Sequence, residues 1–485
     1  MRQNNNGRTE VLQDLLVLPS GKWTFRAHLL VMVLSGNILI DSLEVSVGIL
    51  SLPAISDSFQ TPLSTAQWVV TGFALGFASF LLLGTRAVAK YGSKPVYSTF
   101  LLIFAVATVV GAAAQTPEVL IATRMLKGAC AAFTAPTGMS IIAETFKRKN
   151  DRYKATLIYS LVAGCGFTAG LLSIGILGNI SWRLAFLVPA PVVVVLLGIG
   201  LFVIPSRTSE LRPESRLRGI AVTSVIFALG LVLMVLTLVN PVSVGRQSST
   251  LCLVFALTAT CILLLIRLSK HARNSSRILG NHQFIWTALC AFTFNGAFLG
   301  FLIVLGLYFQ SGLGLGLIET ALRILPVTAP MVAITLVSNS LQKWLGNIRL
   351  IMIGTGLAVA GYLYLLVLGL SDNYWITMFP SFCLIGLGFM CAFAAFHAQA
   401  VSTVGASDWA TANGLYQTGV QTSATICSAI VVALLHAPVG EMADGIGDQL
   451  AWGTGLLGAV AIGILSMGAS IAGAVSSQRL MASKI

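Results

Sequence analysis

Residues 28–51 read HLLVMVLSGNILIDSLEVSVGILS, an almost entirely apolar segment that carries two acids, Asp41 and Glu44. A helix needs about 20 apolar residues to cross a bilayer, so this segment is long enough to span one. Apolar segments of similar length recur along the chain, near residues 64–85, 95–115, 117–142, 153–178, 183–204, 217–239, 250–268, 284–310, 317–340, 349–370, 374–402, 409–435 and 452–475. The pattern predicts an all-α polytopic membrane protein with 14 transmembrane helices.

The composition supports this class and excludes several others. Of the 485 residues, 56% are hydrophobic and 9% are charged, against about a quarter charged in an ordinary soluble domain. So few charges cannot cover a soluble enzyme, and the chain is too apolar for a disordered or disulfide-stapled secreted protein. The eight cysteines lie in apolar segments and form no CxxC pair. We therefore expect small buried thiols, with neither a disulfide nor a metal.

The basic residues predict the orientation of the chain. The net charge is +13, and 24 of the 29 Lys and Arg residues lie in the termini or in alternate linkers. These clusters fall near residues 2–26, 86–94, 147–154, 207–218, 267–277, 343–349 and 479–484. Basic residues favour the cytoplasmic side, so both termini are expected in the cytoplasm, at a plasma membrane or a bacterial inner membrane. The charge indicates topology and contact with anionic lipids, and no nucleic acid is expected. The first apolar segment has full length and no small-residue cleavage site, so no cleavable signal peptide is expected.

Four ionisable residues inside apolar segments form the candidate coupling site, because a charge at mid-bilayer is costly and usually functional. Asp41 and Glu44 lie in the first segment. Arg124 and Lys127 lie in the fourth. Each pair is three residues apart, which places both members on one helix face.

The depths of these residues suggest how they pair. At about 1.5 Å per residue, Glu44 lies ~12 Å and Arg124 ~10 Å below the outer surface. On the same scale Asp41 lies ~16 Å and Lys127 ~15 Å below it. We therefore expect one pair between Glu44 and Arg124, and a second between Asp41 and Lys127. Each pair could take part in proton transfer or be a static salt bridge that neutralises both charges.

Further polar residues in the later segments are candidates for the wall of a substrate cavity. They are Asn295, Gln310, His397, Gln399, Gln417 and Gln421. Hydrogen bonds between neighbouring helices explain such residues equally well, and a lone histidine is more often a packing residue. Glu319 and Arg323 are four residues apart and are interpreted as a structural pair.

Two stretches carry a family resemblance. Residues 43–55 resemble LDxTIVNVALPxI, the first-helix motif of the fourteen-span drug:proton antiporters in the major facilitator superfamily, with Glu44 at the acidic position. Residues 120–132 are similar to that family's fourth-helix motif, LxxxRxxQGxGAA, with Arg124 at the arginine. The resemblance covers essentially the whole chain after its polar N-terminal tail.

Other motifs are matched in part. The chain partly resembles the family's fifth-helix antiporter motif, GxxxGPxxGG, with glycines at Gly166, Gly170 and Gly175. Glycines at four-residue spacing allow a close helix approach, which suits either a rocking interface or static packing. Residues 181–191 resemble WRxxFLxxxP, and residues 319–326 resemble EAGLRLLP.

The loop motif GGRLGDRFGRK corresponds to residues 84–94, which keep Gly84, Arg86, Lys90 and Gly92 as candidate gating residues. Here Ala89 replaces the aspartate that helps to latch the cytoplasmic side in the family. Three further departures are Lys127 for the fourth-helix glutamine, Leu171 for the antiporter proline, and Asp41, which has no counterpart in the first-helix motif.

The resemblance implies the major facilitator fold. It implies an N-terminal tail (1–27), a six-helix bundle (28–204), an inserted pair of helices (205–283), a second six-helix bundle (284–475) and a C-terminal tail (476–485). A monomer is expected.

The implied activity is secondary active export of a small amphipathic drug, toxin or metabolite by alternating access, in exchange for protons. Glu44, at the motif's acidic position, is expected to carry the proton. The alternatives are a dedicated exporter of one metabolite, such as a siderophore or antibiotic, and an uncoupled facilitator or importer. No HExxH, clustered histidines or GxxxxGK[ST] is present. The sequence therefore supports neither an enzyme nor direct use of ATP, and no cofactor is expected.

Overall fold

The computed structural model describes residues 23–146, 148–204, 217–239, 280–369, 373–402 and 409–435, together with isolated positions elsewhere. The regular structure in these ranges is helical. The helices are α1 (Phe25–Leu50), α2 (Leu52–Phe59), α3 (Leu63–Ala66), α4 (Trp68–Tyr91), α5 (Ser93–Ala112), α6 (Pro117–Thr145), α7 (Lys149–Leu177), α8 (Trp182–Leu187), α9 (Pro189–Val203), α10 (Leu217–Val239), α11 (His282–Leu307), a π-helical turn (Tyr308–Gly312), α12 (Leu317–Leu345), α13 (Asn347–Leu368), α14 (Tyr374–Ser402) and α15 (Trp409–Leu435).

Eight stretches of the described chain are long and apolar enough to cross a membrane. They are Phe25–Leu50, Leu63–Val88, Ser93–Ala112, Trp182–Val203, His282–Gly312, Asn347–Leu368, Tyr374–Ala400 and Ala412–Leu434. The described residues therefore belong to a helical, multi-pass membrane protein. The expected segment at 250–268 lies outside the described residues, and the segment at 452–475 is described only at isolated positions.

Local sequence explains where several helices break or end. Val188 separates α8 from α9, and Pro189 begins α9, at a position where its missing N–H costs no helical hydrogen bond. Residues 86–91, expected in a loop, instead form the last turns of α4. Only Gly92, with φ at +88°, separates α4 from α5. Glycine adopts this backbone conformation without a steric penalty, so the turn needs no longer linker.

Glycines bring α4 and α6 into backbone contact. A Cβ on Gly128 would lie 2.8 Å from the carbonyl carbon of Phe73, and a Cβ on Gly84 would lie 2.9 Å from that of Ala132. Any larger residue would force the two helices apart. This contact fixes the height and rotation of α6, which carries the two buried cations of the candidate site.

Candidate functional site

The four candidate coupling residues are buried where α1, α4 and α6 meet. Glu44 and Arg124 each expose 1% of their surface, Lys127 exposes 2%, and Asp41 exposes 5%. Helical spacing puts both acids on one face of α1 and both cations on one face of α6, as expected. Charges at this depth within a helix bundle need partners, because neither lipid nor water solvates them.

Arg124, on α6, is bound to two other helices, α1 and α4. Its Nη1 atom forms an ion pair with Glu44 Oε2, and its Nη2 atom donates a hydrogen bond to the backbone oxygen of Glu44 at 2.9 Å. Its Nε atom donates to the backbone oxygen of Val69 on α4 at 2.7 Å. Gly48 leaves room for the guanidinium, since a Cβ there would lie 2.7 Å from Nη2. The expected contact between Glu44 and Arg124 is confirmed.

The expected pair between Asp41 and Lys127 is wrong. Lys127 Nζ forms its ion pair with the second carboxylate oxygen of Glu44, Oε1. The depths explain this choice, because Glu44 lies between the levels of Arg124 and Lys127, and a flexible lysine stem reaches it from the next turn of α6. One carboxylate therefore binds two cations.

Asp41 occupies a different environment. Within the described part of the chain it forms no ion pair, although it lies one turn from Glu44 on α1. Its Oδ2 atom accepts a hydrogen bond from Asn37 Nδ2 at 3.4 Å, and the same amide donates to Thr134 Oγ1 on α6 at 3.2 Å. Asn37 was not among the expected site residues. Its position four residues before Asp41, on the same face of α1, is the signal that could have identified it.

Aromatic rings enclose the two cations. The guanidinium carbon of Arg124 lies 5.0 Å from the ring centre of Phe73 and 5.4 Å from that of Phe186. Lys127 Nζ lies 5.1 Å from the ring centre of Phe104. Such rings attract cations through their negative faces and also exclude water. The ion pairs therefore lie in a low-dielectric environment where each electrostatic contact is strong.

Two of the expected cavity residues make hydrogen bonds between helices. Asn295 Nδ2 on α11 donates to the backbone oxygen of Val420 at 3.0 Å and to Ser423 Oγ at 3.3 Å, both on α15. Gln310, in the π-helical turn, donates to the backbone oxygen of Leu50 at 3.1 Å. Both amides therefore make hydrogen bonds between neighbouring helices, the arrangement that the sequence left open beside a place in the cavity wall.

The remaining cavity candidates lie on α14 and α15. The His397 ring packs edge-on against Tyr416 with 5.6 Å between ring centres. Gln399 is buried, whereas Gln417 and Gln421 are half-buried and make no side-chain hydrogen bond to the described residues. Tyr416, which sequence analysis did not select, is buried with a hydroxyl that has no partner in the described structure. Tyr416 and the two glutamines of α15 are therefore polar side chains that no described side chain binds.

The motif glycines of α7 contact two different helices. A Cβ on Gly166 or Gly170 would lie 2.8 Å from the Cα atom of Leu39 or Leu43, respectively, on α1. Gly175 faces α12 instead, where its Cβ would lie 2.9 Å from that of Ala321.

The other predicted motif residues lie at helix ends or on an exposed face. Arg86 and Lys90 belong to the last turns of α4, and Lys90 Nζ lies 4.8 Å from the ring centre of Tyr91. Glu319 and Arg323 form the expected i, i+4 ion pair at 2.8 Å. The Glu319 side chain is half exposed, so its pair is weakly stabilising.

Comparison with known proteins supports the same class. The Major Facilitator Superfamily pattern matches residues 34–428. The methylenomycin A resistance protein of Streptomyces coelicolor is 26% identical over 377 residues, which cover 76% of this chain and 78% of that protein. A probable actinorhodin transporter of the same organism is 24% identical over 439 residues, which cover 86% and 74% of the two chains.

The fold also matches a solved transporter structure. A peptide transporter of the POT type superposes with a TM-score of 0.64 at 13% identity, covering 95% of this chain and 97% of the other. At that identity the match concerns the fold alone. The family match spans most of the chain and includes all four residues of the charge cluster, so the chain belongs to the Major Facilitator Superfamily of multi-pass membrane transporters.

Proposed function

We propose that this protein exports a small amphipathic molecule, such as a drug, toxin or metabolite, by alternating access in exchange for protons. The observation that carries the proposal is the buried cluster of Asp41, Glu44, Arg124 and Lys127, which joins α1 to α6. Buried charges of this kind are costly and usually functional in membrane proteins. The similar resistance and export proteins support the outward direction of transport.

The cluster suits coupling because its electrostatic balance changes when a proton binds to an acid. Neutralising one carboxylate leaves the two cations of α6 less compensated, and in a low-dielectric interior this alters how strongly α1 and α6 attract each other. A conformational change that shifts this contact would then be linked to the protonation state.

We place this activity in a fourteen-helix arrangement with two six-helix bundles, at 28–204 and 284–475, and an inserted pair at 205–283. The tails at 1–27 and 476–485 would be cytoplasmic and the protein a monomer in the cell membrane. Substrate would bind near the midplane between the bundles. Candidate groups for that contact are Asn295, Gln310, His397, Gln399, Gln417 and Gln421, and the candidate gating residues are Gly84, Arg86, Lys90, Gly92, Gly166, Gly170 and Gly175.

The second candidate function is export of one endogenous metabolite. The similarity to a probable actinorhodin transporter, which covers 86% of this chain, favours it. The two functions differ in breadth of substrate rather than in mechanism. An uncoupled facilitator or importer is the third alternative and differs in its response to a proton gradient.

Transport by everted membrane vesicles separates these possibilities. Vesicles that contain the protein should accumulate at least one of ethidium, puromycin or methylenomycin A when their lumen is acidic, and should lose it when nigericin collapses the gradient. Glu44→Gln should abolish this accumulation, whereas Glu319→Gln, which changes a half-exposed acid outside the cluster, should not. Accumulation that persists without a gradient would indicate a facilitator. Uptake of a single compound would indicate a dedicated exporter.

A further inference from the structure

The two acids of α1 differ in the groups that they contact. Both carboxylate oxygens of Glu44 have a cation of their own, Oε2 with Arg124 and Oε1 with Lys127. All three side chains expose 2% or less of their surface. Protonating Glu44 would leave two buried cations facing a neutral acid, and removing the partner of a buried charge is strongly unfavourable. Glu44 is therefore poorly suited to bind and release a proton in each cycle.

Asp41 has the opposite arrangement. It is buried and lies one turn from Glu44, and among the described residues it forms no ion pair. The Asn37 amide donates to its Oδ2 atom, and that single neutral contact does not require Asp41 to be ionised. A proton can bind to Asp41 or leave it without breaking a salt bridge.

The net charge of the cluster depends on whether Asp41 is protonated. Arg124 and Lys127 carry two positive charges, and Glu44 neutralises one of them. An ionised Asp41 brings the cluster to zero, and a protonated Asp41 leaves it with one net positive charge. Because the cluster is shielded from water by Phe73, Phe104 and Phe186, this difference is weakly screened.

The other ionisable groups that interact with Asp41 are themselves acids. In the described structure, electrostatic interactions connect Asp41 with Glu44 on its own helix, Tyr97 on α5, Cys130 on α6 and Tyr159 on α7. All four lose a proton to become negative, so none supplies a positive charge that would hold Asp41 ionised. The cations of α6 are paired with Glu44, and they act on Asp41 only through the one positive charge that Glu44 leaves uncompensated.

We infer that Asp41 is the group that takes up and releases the exchanged proton, while Glu44 stays ionised as the fixed counter-ion of Arg124 and Lys127. The step forms an O–H bond on a carboxylate oxygen of Asp41, and the proton later returns to water on the other side of the membrane. No electrons are transferred. The inference rests on the proposed exchange of substrate for protons, and it names the acid responsible.

The Asn37 amide links this proton to helix packing. The amide contacts Asp41 on α1 and Thr134 on α6, two turns along α6 from Lys127. When Asp41 changes between a charged carboxylate and a neutral acid, the strength of the hydrogen bond from the Asn37 amide changes as well. Asn37 is therefore a positioning residue through which α6 responds to the proton.

Infrared spectroscopy of the purified protein in lipid tests the inference without any substrate. A pH-difference spectrum of the wild type should contain the C=O stretching band of a buried protonated carboxyl group. Asp41→Asn should remove that band, and Asp41→Glu should shift it in frequency. In Glu44→Gln the band should remain but appear at a lower pH, because Asp41 then faces both cations. A band that survives in Asp41→Asn, or disappears only in Glu44→Gln, would overturn the assignment.

Proteoliposomes with a pH dye inside provide the functional test, with ethidium as the probe. Asp41→Asn should lose proton-coupled accumulation at least tenfold, and Asp41→Glu should restore it with a shifted pH profile. Proton-coupled accumulation by Asp41→Asn at the wild-type level would refute the inference alone. A wild type that moves substrate without protons would instead refute the proposed exchange, and the infrared band would still decide which acid titrates.

Discussion

The ammonium group of Lys127 and the carboxylate of Glu44 form a buried ion pair between α6 and α1. The same carboxylate also binds Arg124, so a single acid connects two cations that lie one turn apart on α6. Removing different members of this cluster should therefore have different consequences.

Arg124→Gln should destabilise the protein more than Lys127→Gln. The first substitution removes an ion pair and two hydrogen bonds to backbone oxygens, and breaking a buried pair costs about 3–5 kcal/mol. The second removes one charged contact, worth about 1.5–3 kcal/mol, and leaves Glu44 neutralised by Arg124. Unfolding of the purified proteins by SDS in mixed micelles measures the difference. Equal losses would show that the backbone contacts of Arg124 contribute little.

Double-mutant cycles should show that Lys127 has a larger interaction energy with Glu44 than with Asp41. Residues in contact have interaction energies of about 0.5–3 kcal/mol, so the cycle of Glu44→Gln with Lys127→Gln should fall in this range. The cycle of Asp41→Asn with Lys127→Gln should give a smaller value, because the two side chains have different partners. A larger coupling for Asp41 would mean that Lys127 changes partner during the transport cycle.

Gly128→Ala should destabilise the contact between α4 and α6. Its Cβ would overlap the backbone of Phe73, and overpacking costs about 1–3 kcal/mol. Gly198→Ala in α9 is the matched control, because no atom lies within 4 Å of a Cβ at that position. The control should be neutral or stabilising by about 0.5–1 kcal/mol. Thermal unfolding in detergent compares the two, and a harmless Gly128→Ala would contradict the close approach of the helices.

A disulfide between α4 and α15 should arrest transport. The hydroxyl oxygens of Thr71 and Ser428 lie 3.4 Å apart, so Thr71→Cys with Ser428→Cys should oxidise readily in a background whose native cysteines are replaced by alanine. If the two helices separate at this point during alternating access, oxidation will stop export and dithiothreitol will restore it. Thr71→Cys alone should respond to neither reagent. Full export by the cross-linked protein would show that this contact stays closed throughout the cycle.

Tags at either end of the chain should be accessible only from the cytoplasm. The basic clusters at 2–26 and 479–484 lie on the same side of the membrane if the number of spans is even. Antibody labelling of intact and permeabilised cells makes the measurement, and a tag at 446, in the acidic segment 441–448, serves as the outward-facing control. Labelling of a terminal tag in intact cells would require an odd number of spans or the reverse orientation.

Much of the fold could be predicted because a bilayer imposes simple length and polarity limits on each helix. The apolar segments expected at 28–51 and 95–115 appear as Phe25–Leu50 and Ser93–Ala112, with ends displaced by a few residues. The loop expected around Arg86 and Lys90 was wrong, because α4 continues to Tyr91 and turns on Gly92 alone. Polar and basic residues at the end of a segment do not reveal whether a helix continues into them.

The sequence by itself determined which residues share a helix face, since the spacing of Asp41 to Glu44 and of Arg124 to Lys127 depends only on helix geometry. It also identified the contact between Glu44 and Arg124 from their similar depths. Only the tertiary structure decided that Lys127 also binds Glu44, so that Asp41 has no cationic partner among the described residues. The reason is physical: distances within one helix follow from its backbone, whereas distances between helices depend on their rotation and approach, which glycine contacts such as Gly128 against Phe73 establish.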